Sequence, residues 1–593
     1  MLSPLLRGAF SKRAVFNSSR FLSSRTSSAH AHHAPSRRLR WYIAGGAVLG
    51  SSAFLAQSTV FADAPDVPLH DSSDSLQSQR KPVPLLTLAR AYVVYAACSF
   101  PALVDYSPTI LSTLMSVPVI RQITEAVVRV TFFDQFVGGD TAEGTLPVLE
   151  TLREENKGCI FAYSVEVDEN EAAGGTKAHA KLPVHKRIVK EMIHSIDVAA
   201  DFEEKHRKGD DMNGRATYVA VKMTALLPNA ESLIKFSKYL VNTRPNAKSI
   251  AFPGAPHPTD LEVLNNAPAG NSTLTEQDII DLKDLYSDLT QICTRAQERG
   301  VRILMDAEHT WYQPAIDAFT LAMMRRFNKI SDETSPVQPL IYATFQAYLR
   351  RTPEYLLQSF ADAKAGGYAL GVKLVRGAYH PHEMKAHASA LSESKKHGSL
   401  SISPEPYPPV WTAKSESDDC YNHSVNVLLD AITKDIEESR GVSAGWSLSS
   451  LFGRAPQEPS VTSPRPPRIG VVFGTHNWTS VKLILDELAK RGLATVEGLN
   501  EHGEPVIHVK PEVAERLNMA QLYGMMDDLT NYIVDRTRSS SPFVLKYVPY
   551  GALEEVLPYL GRRAIENKSV LGNGAAVEER RMAAEQIKKR IFG

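Results

Sequence analysis

Eight short apolar runs govern what this chain can fold into. They span 159–167, 218–226, 301–308, 340–348, 371–379, 469–476, 516–523 and 543–550, and each is rich in β-branched or aromatic residues. Helical stretches such as 275–299 and 477–491 stand between them. Near-continuous apolar strands belong to a sheet buried on both faces, and alternation with helices makes that sheet parallel. Eight such units predict an α/β fold closed as a (β/α)8 barrel. The rival, a doubly wound open sheet, carries a Gly-x-Gly-x-x-Gly turn after an early strand, and this sequence has none.

The segments outside the barrel are equally distinct. Residues 1–40 hold seven arginines and one lysine among many serines, and the first acid in the chain is Asp63. That is the composition of a mitochondrial transit peptide, a disordered presequence. Residues 41–62 carry no charge, and their 22 positions equal the thickness of a bilayer. Ser, Gln, Thr and Gly dilute them, so the segment reads either as a weak membrane anchor or as the removed back end of the presequence. A linker covers 63–84, a helical extension 85–150, the barrel 151–571 and a charged amphipathic helix 572–593. Two stretches rich in Ser, Pro and Lys, 388–414 and 437–468, interrupt the alternation and read as surface insertions.

Composition excludes some functions. Lys+Arg and Asp+Glu both number 66, so no global charge draws nucleic acid. The four cysteines, Cys98, Cys159, Cys293 and Cys420, show neither CxxC nor zinc spacing, which speaks for a reducing compartment without a disulfide framework.

In a barrel of this kind the site forms at the C-terminal ends of the strands. Lys222 lies at the end of the second run, Asp306-Ala307-Glu308 of the third and Gln346 of the fourth. The fifth gives Lys373 and Arg376, the sixth Thr475 and His476, the seventh Gln521 and the eighth Tyr547. Beyond it, Arg562 and Arg563 sit side by side on a helix, with Glu566 three residues on. Any one of these has a bland account as an ion pair, a helix cap or a satisfied core amide. Polar groups at corresponding positions of successive strands point to a site. Five cations exceed the need of one carboxylate and fit a small carboxylate held together with a phosphate-bearing cofactor. Gln, Lys and His at strand ends suit the polar edge of a flavin.

The blocks Asp306-Ala307-Glu308, Lys373-Leu374-Val375-Arg376-Gly377-Ala378-Tyr379, Thr475-His476-Asn477, Gln521-Leu522-Tyr523-Gly524-Met525 and Tyr547…Arg562-Arg563-Ala564-Ile565-Glu566-Asn567 resemble the proline dehydrogenase family. The resemblance runs in order from about Phe132 to Leu571. It implies a (β/α)8 barrel that binds FAD, oxidises L-proline to Δ1-pyrroline-5-carboxylate and passes electrons to ubiquinone at the mitochondrial inner membrane. It implies a carboxylate grip by Arg562 and Arg563 assisted by Lys222, tyrosines Tyr547 and Tyr559 closing over the ring, and Leu374 packed on it. Asp306 would support the site by pairing with a cation. Lys373 stands where bacterial members carry arginine, so the charge is kept and the fork lost. Gln346, Val375, Arg376, Gly377, Thr475 and His476 would contact the flavin, with the backbone around Ala307 nearby. Tyr559 takes the place of a small residue in a relative that prefers hydroxyproline, which favours plain proline here. The rivals are oxidation of 4-hydroxyproline and a membrane-tethered, inactive barrel that senses proline or scaffolds partners.

Overall fold

Parallel strands can be joined only by long crossovers, and this chain supplies at least one helix in every one. The computed structural model describes residues 82–164, 183–206, 216–244, 250–265, 274–330, 337–392, 399–440, 467–500, 502–567 and 575–592. The predicted presequence, the uncharged segment 41–62, most of the linker and most of the 437–468 insertion lie outside them.

The strands are β1 (Lys157–Tyr163), β2 (Thr217–Val221), β3 (Arg302–Met305), β4 (Ile341–Gln346), β5 (Leu370–Val375), β6 (Ile469–Gly474), β7 (Ala494–Leu499), β8 (Pro505–Val509), β9 (Leu517–Leu522), β10 (Thr537–Arg538) and β11 (Val544–Tyr550). Eight of them close into a barrel in the order β1-β2-β3-β4-β5-β6-β9-β11, every pair parallel. Closure is made by β11 against β1, in register from Lys157 opposite Val544 to Tyr163 opposite Tyr550. All eight predicted strands are the eight barrel strands.

The remaining three strands were not anticipated. β7 and β8 form an antiparallel hairpin, with β10 parallel to β8. All of β7 after Ala494 is exposed, so it lacks the apolar run that marks the barrel strands.

Side chains alternate across each barrel strand, because successive Cβ atoms point to opposite faces. Ile160, Tyr218, Ala220, Leu304, Tyr342, Val472, Ala520 and Leu545 fill the interior. Tyr342 is accommodated by Gly371 and Gly470, where a Cβ would collide with its ring. The opposite faces, with Val219, Ile303, Phe345, Val372, Phe473 and Met519, pack into the shell beneath the surrounding helices. Burial of this two-sided kind stabilises by about 25 cal/mol per Å² of apolar surface.

The extension before the barrel is helical, as expected, with helices Leu85–Cys98, Pro101–Met115 and Pro118–Val128. Val94, Tyr95 and Cys98 join Phe133, Phe136, Val556, Tyr559 and Leu560 in a second apolar cluster. The extension thus backs the helix Leu553–Asn567 that follows β11. The last helix, Ala575–Phe592, packs along Leu85–Cys98. No helix among the described residues is long and apolar enough to cross a membrane. The described part of the 388–414 insertion folds back onto the end of β4: Arg350 donates to Pro408 O at 2.7 Å, and Trp411 N donates to Tyr348 O at 2.8 Å.

Candidate active site

The inward alternation brings Asp306, just past β3, Lys373 of β5 and Tyr547 of β11 together at the C-terminal end of the barrel. Asp306 is 8% exposed and accepts from Lys373 Nζ at 2.5 Å and from the Tyr547 hydroxyl at 2.9 Å. The Lys373 ammonium also lies 5.6 Å from the Tyr547 ring centroid. Burial, then the Asp306 charge, raises the Tyr547 phenol well above its ordinary value, so it stays a proton donor. Three strands that are far apart in sequence are thereby locked by one carboxylate.

Lys222 lies one residue past β2. Burial raises the Glu308 carboxyl, and the Lys222 charge with the bonds from Thr224 (N–H at 3.2 Å, Oγ1 at 2.5 Å) opposes that rise only in part. Ala307 lies half-buried between Asp306 and Glu308.

Gln346 and Gln521 are both almost fully buried, and the Oε1 atom of each has no donor among the described residues. Their amide nitrogens make only long contacts, Gln346 Nε2 to Glu308 O and to the Tyr348 hydroxyl and Gln521 Nε2 to Thr475 O, each 3.4 Å. Two buried carboxamide oxygens without donors are costly unless a bound group meets them. His476 accepts from Leu522 N at Nε2, 3.0 Å, which leaves the proton on Nδ1. Burial first, then the charges of Lys546, Arg563 and Arg376, pushes His476 down to about 3. It is a neutral imidazole in a positive field, a donor at Nδ1 that carries no charge of its own. Gln346, on the inward face of β4, and the neutral His476 supply the donors and acceptors that the polar edge of an isoalloxazine ring needs, so the residues present fit a flavin, while Gln521 follows Met519 onto the outer face of β9.

The two adjacent arginines have different surroundings. Arg562 lies against two aromatic rings, 5.6 Å from the Tyr379 centroid and 5.9 Å from that of Tyr559. Arg563 is 4% exposed, lies 5.0 Å from the Tyr559 ring centroid and pairs with Glu566 at i+3. Its Nε has no acceptor among the described residues. A buried guanidinium N–H in that state is a ready donor to a carboxylate.

Two expectations need correction. Leu374 does not share a face with Lys373. It is fully buried in the shell beneath the helices, opposite Phe345 and Phe473 in register, because neighbours on a strand point apart. Arg376 is not a rim cation. It is 0% exposed and donates to Asp418 (2.6 Å), Thr475 Oγ1 (2.7 Å) and Ser480 Oγ (2.8 Å) while covering the Tyr421 ring. Its partner Asp418 comes from the helix Lys414–Ser439, which sequence spacing does not reveal. Arg376 therefore fixes Thr475 from behind. Gly377, at φ 124°, lets the chain turn beside Tyr348, whose ring a Cβ would strike. Val375 closes β5 half-buried against Gly474.

Sequence reasoning missed two residues that stand beside the candidate site. Tyr379 forms one wall for Arg562; its signal was an aromatic residue two positions past the strained glycine. Lys546 is buried on the outer face of β11, paired with Asp527 at 2.8 Å and donating to Met525 O at 2.9 Å. Only its position inside an apolar strand hinted that it needed a partner.

The proline dehydrogenase family model matches residues 148–575. "Proline dehydrogenase 2, mitochondrial" of Arabidopsis thaliana is 26% identical over 518 residues, which is 86% of this chain and 88% of that protein. "Proline dehydrogenase 1, mitochondrial" of the same plant is 25% identical over 565 residues, 92% and 94% of the two chains. "Hydroxyproline dehydrogenase" of Xenopus laevis is 26% identical over 506 residues, 85% and 87%. With a closed parallel barrel, a paired acid and lysine at its mouth and a family match across most of its length, the chain belongs to the proline dehydrogenase family of enzymes.

Proposed function

We propose that this protein oxidises L-proline to Δ1-pyrroline-5-carboxylate, using FAD and passing the electrons to ubiquinone at the mitochondrial inner membrane. The observation that carries the reading is the clustering at one barrel mouth of a carboxylate clamp, aromatic walls and buried polar atoms that await a planar partner. Arg562, the Nε of Arg563 and Lys222 bind the substrate carboxylate. Tyr547, Tyr559 and Tyr379 flank the ring and exclude water. Asp306 holds Lys373 and the Tyr547 hydroxyl in place and so orients the floor of the site. Gln346, Thr475 and His476 would hold the flavin, with Ala307, Val375 and Gly377 supplying close backbone and Arg376 bracing Thr475. Bound FAD supplies the two-electron acceptor for the hydride that leaves C5 of proline as its nitrogen gives up a proton. The protein contributes positioning and charge.

Mitochondrial residence accords with the arginine-rich, acid-free residues 1–40 and with relatives named as mitochondrial. Plain proline is favoured over 4-hydroxyproline because Tyr559, 2% exposed beneath both arginines, fills the space a ring hydroxyl would need. An absorption spectrum tests the proposal. The purified protein should be yellow and should bleach on addition of L-proline; a colourless protein, or one that proline leaves unchanged, overturns it.

A further inference from the structure

The loop after β3 carries the run His309-Thr310-Trp311, and the site described so far does not use it. Its side chains are nonetheless ordered by specific contacts. The His309 ring stacks on Trp311 at 4.3 Å and 13°, and meets Tyr379 at 4.1 Å and 36°. His309 Nε2 also lies 3.5 Å from Nδ1 of His382, in the first turn of the helix His380–Leu391. Between the two stacked residues, Thr310 is tied down: its N–H and hydroxyl donate to the Glu383 carboxylate at 2.8 and 2.5 Å. Glu308 just before it donates its N–H to Gln313 Oε1 at 3.0 Å. The loop is thus pinned on both sides of His309, and the imidazole is held where it can transmit that rigidity.

What it transmits to is Tyr379, and Tyr379 is a wall of Arg562. The chain of contact Trp311–His309–Tyr379–Arg562 links the loop after β3, the loop after β5 and the helix after β11. We propose that His309 is a positioning residue for the substrate carboxylate: its ring holds Tyr379, and through it Arg562, in the posture that grips the anion. This rests on the proposed oxidation of L-proline. A guanidinium on a long side chain has several rotamers, and each aromatic neighbour that is itself fixed removes some of them before the substrate arrives. Arg562 has Tyr559 fixed by the apolar cluster behind it, and Tyr379 fixed by His309.

The test compares His309→Ala with His309→Phe, which keeps a flat ring without the imidazole. An aromatic contact of this kind supports an increase of about 2- to 12-fold in KM for L-proline in His309→Ala, with kcat changed less than two-fold. The dissociation constant of a saturated five-membered-ring carboxylate that cannot be oxidised, read by calorimetry, should rise by the same factor. His309→Phe should return both constants to within two-fold of the parent. Should the alanine variant not fold, His309→Gln takes its place, since it also removes the ring. An unchanged KM and dissociation constant in the ringless variant, or a phenylalanine variant as impaired as the ringless one, overturns the inference while leaving the function intact. A parent protein that does not oxidise L-proline overturns both.

Discussion

Deleting the Asp306 carboxylate should be among the most damaging single changes in the barrel, and the damage should be largely reversible by a second deletion. In Asp306→Ala the Lys373 ammonium, whose side chain is 11% exposed, loses its counter-ion. Breaking one side of a buried pair costs about 3–5 kcal/mol. The Tyr547 hydroxyl also loses an acceptor, a further 1–2 kcal/mol or so. The expected loss of about 4–7 kcal/mol is a large share of the roughly 5–15 kcal/mol that holds a domain together. Lys373→Met strands the carboxylate with Tyr547 alone and should cost about 3–5 kcal/mol. The double variant Asp306→Ala/Lys373→Met removes both charges and leaves only the hydroxyl in need, so it should lie about 1–3 kcal/mol below the parent. The coupling is therefore several kcal/mol in favour of the double variant. Urea unfolding followed by far-ultraviolet circular dichroism, on all four proteins at pH 7, measures it. If the double variant is as unstable as the sum of the two single ones, Asp306 and Lys373 do not depend on each other and the account of the barrel mouth is wrong.

Arg562→Ala should raise KM for L-proline by roughly 30-fold or more, the equivalent of losing about 2–5 kcal/mol of charge-assisted contact, and steady-state kinetics will read it. Tyr559→Ser should raise the ratio of kcat/KM for 4-hydroxyproline over proline by at least about 10-fold, since it opens room beneath Arg562 and Arg563; competition assays with both substrates decide. Because His476 is held at about 3 in the folded protein, far below its ordinary value, the unfolded chain binds the extra proton first as pH falls. Its contribution is complete above about pH 6.5 and declines towards pH 3, by up to about 1.4 kcal/mol per pH unit. His476→Gln, which can still accept from Leu522 N, should flatten that decline between pH 6 and 4 when unfolding midpoints of the two proteins are compared.

The barrel was legible because each of its strands is buried on both faces, which leaves a short apolar run that recurs eight times between helical stretches. The β7–β8 hairpin was not, since β7 is exposed after Ala494 and β8 is only five residues long, with Ile507 and Val509 alone buried in the core. Among the candidate residues, polarity in an apolar setting marked the barrel mouth: Asp306, Lys373, Gln346 and Tyr547 all stand towards the C-terminal ends of their strands. It failed where a residue's direction or distant partner decides its role. Leu374 shares a motif with Lys373, yet the pleat turns it to the other face. Arg376 looked like a rim cation until the Lys414–Ser439 helix supplied Asp418. Tyr379 became visible only when folding set it beside Arg562, far along the chain.

The seam between β1 and β11 joins two segments that are nearly four hundred residues apart, Tyr163 opposite Tyr550. A polypeptide synthesised or threaded through a pore from its N-terminus must therefore wait for almost its whole length before the cylinder can be sealed. Until then both rims of a half-built sheet offer unsatisfied N–H and C=O groups to any passing strand. Survival of the nascent chain depends on whatever shields those rims during the delay, and shortening the C-terminus past Val544 removes the stave that ends it.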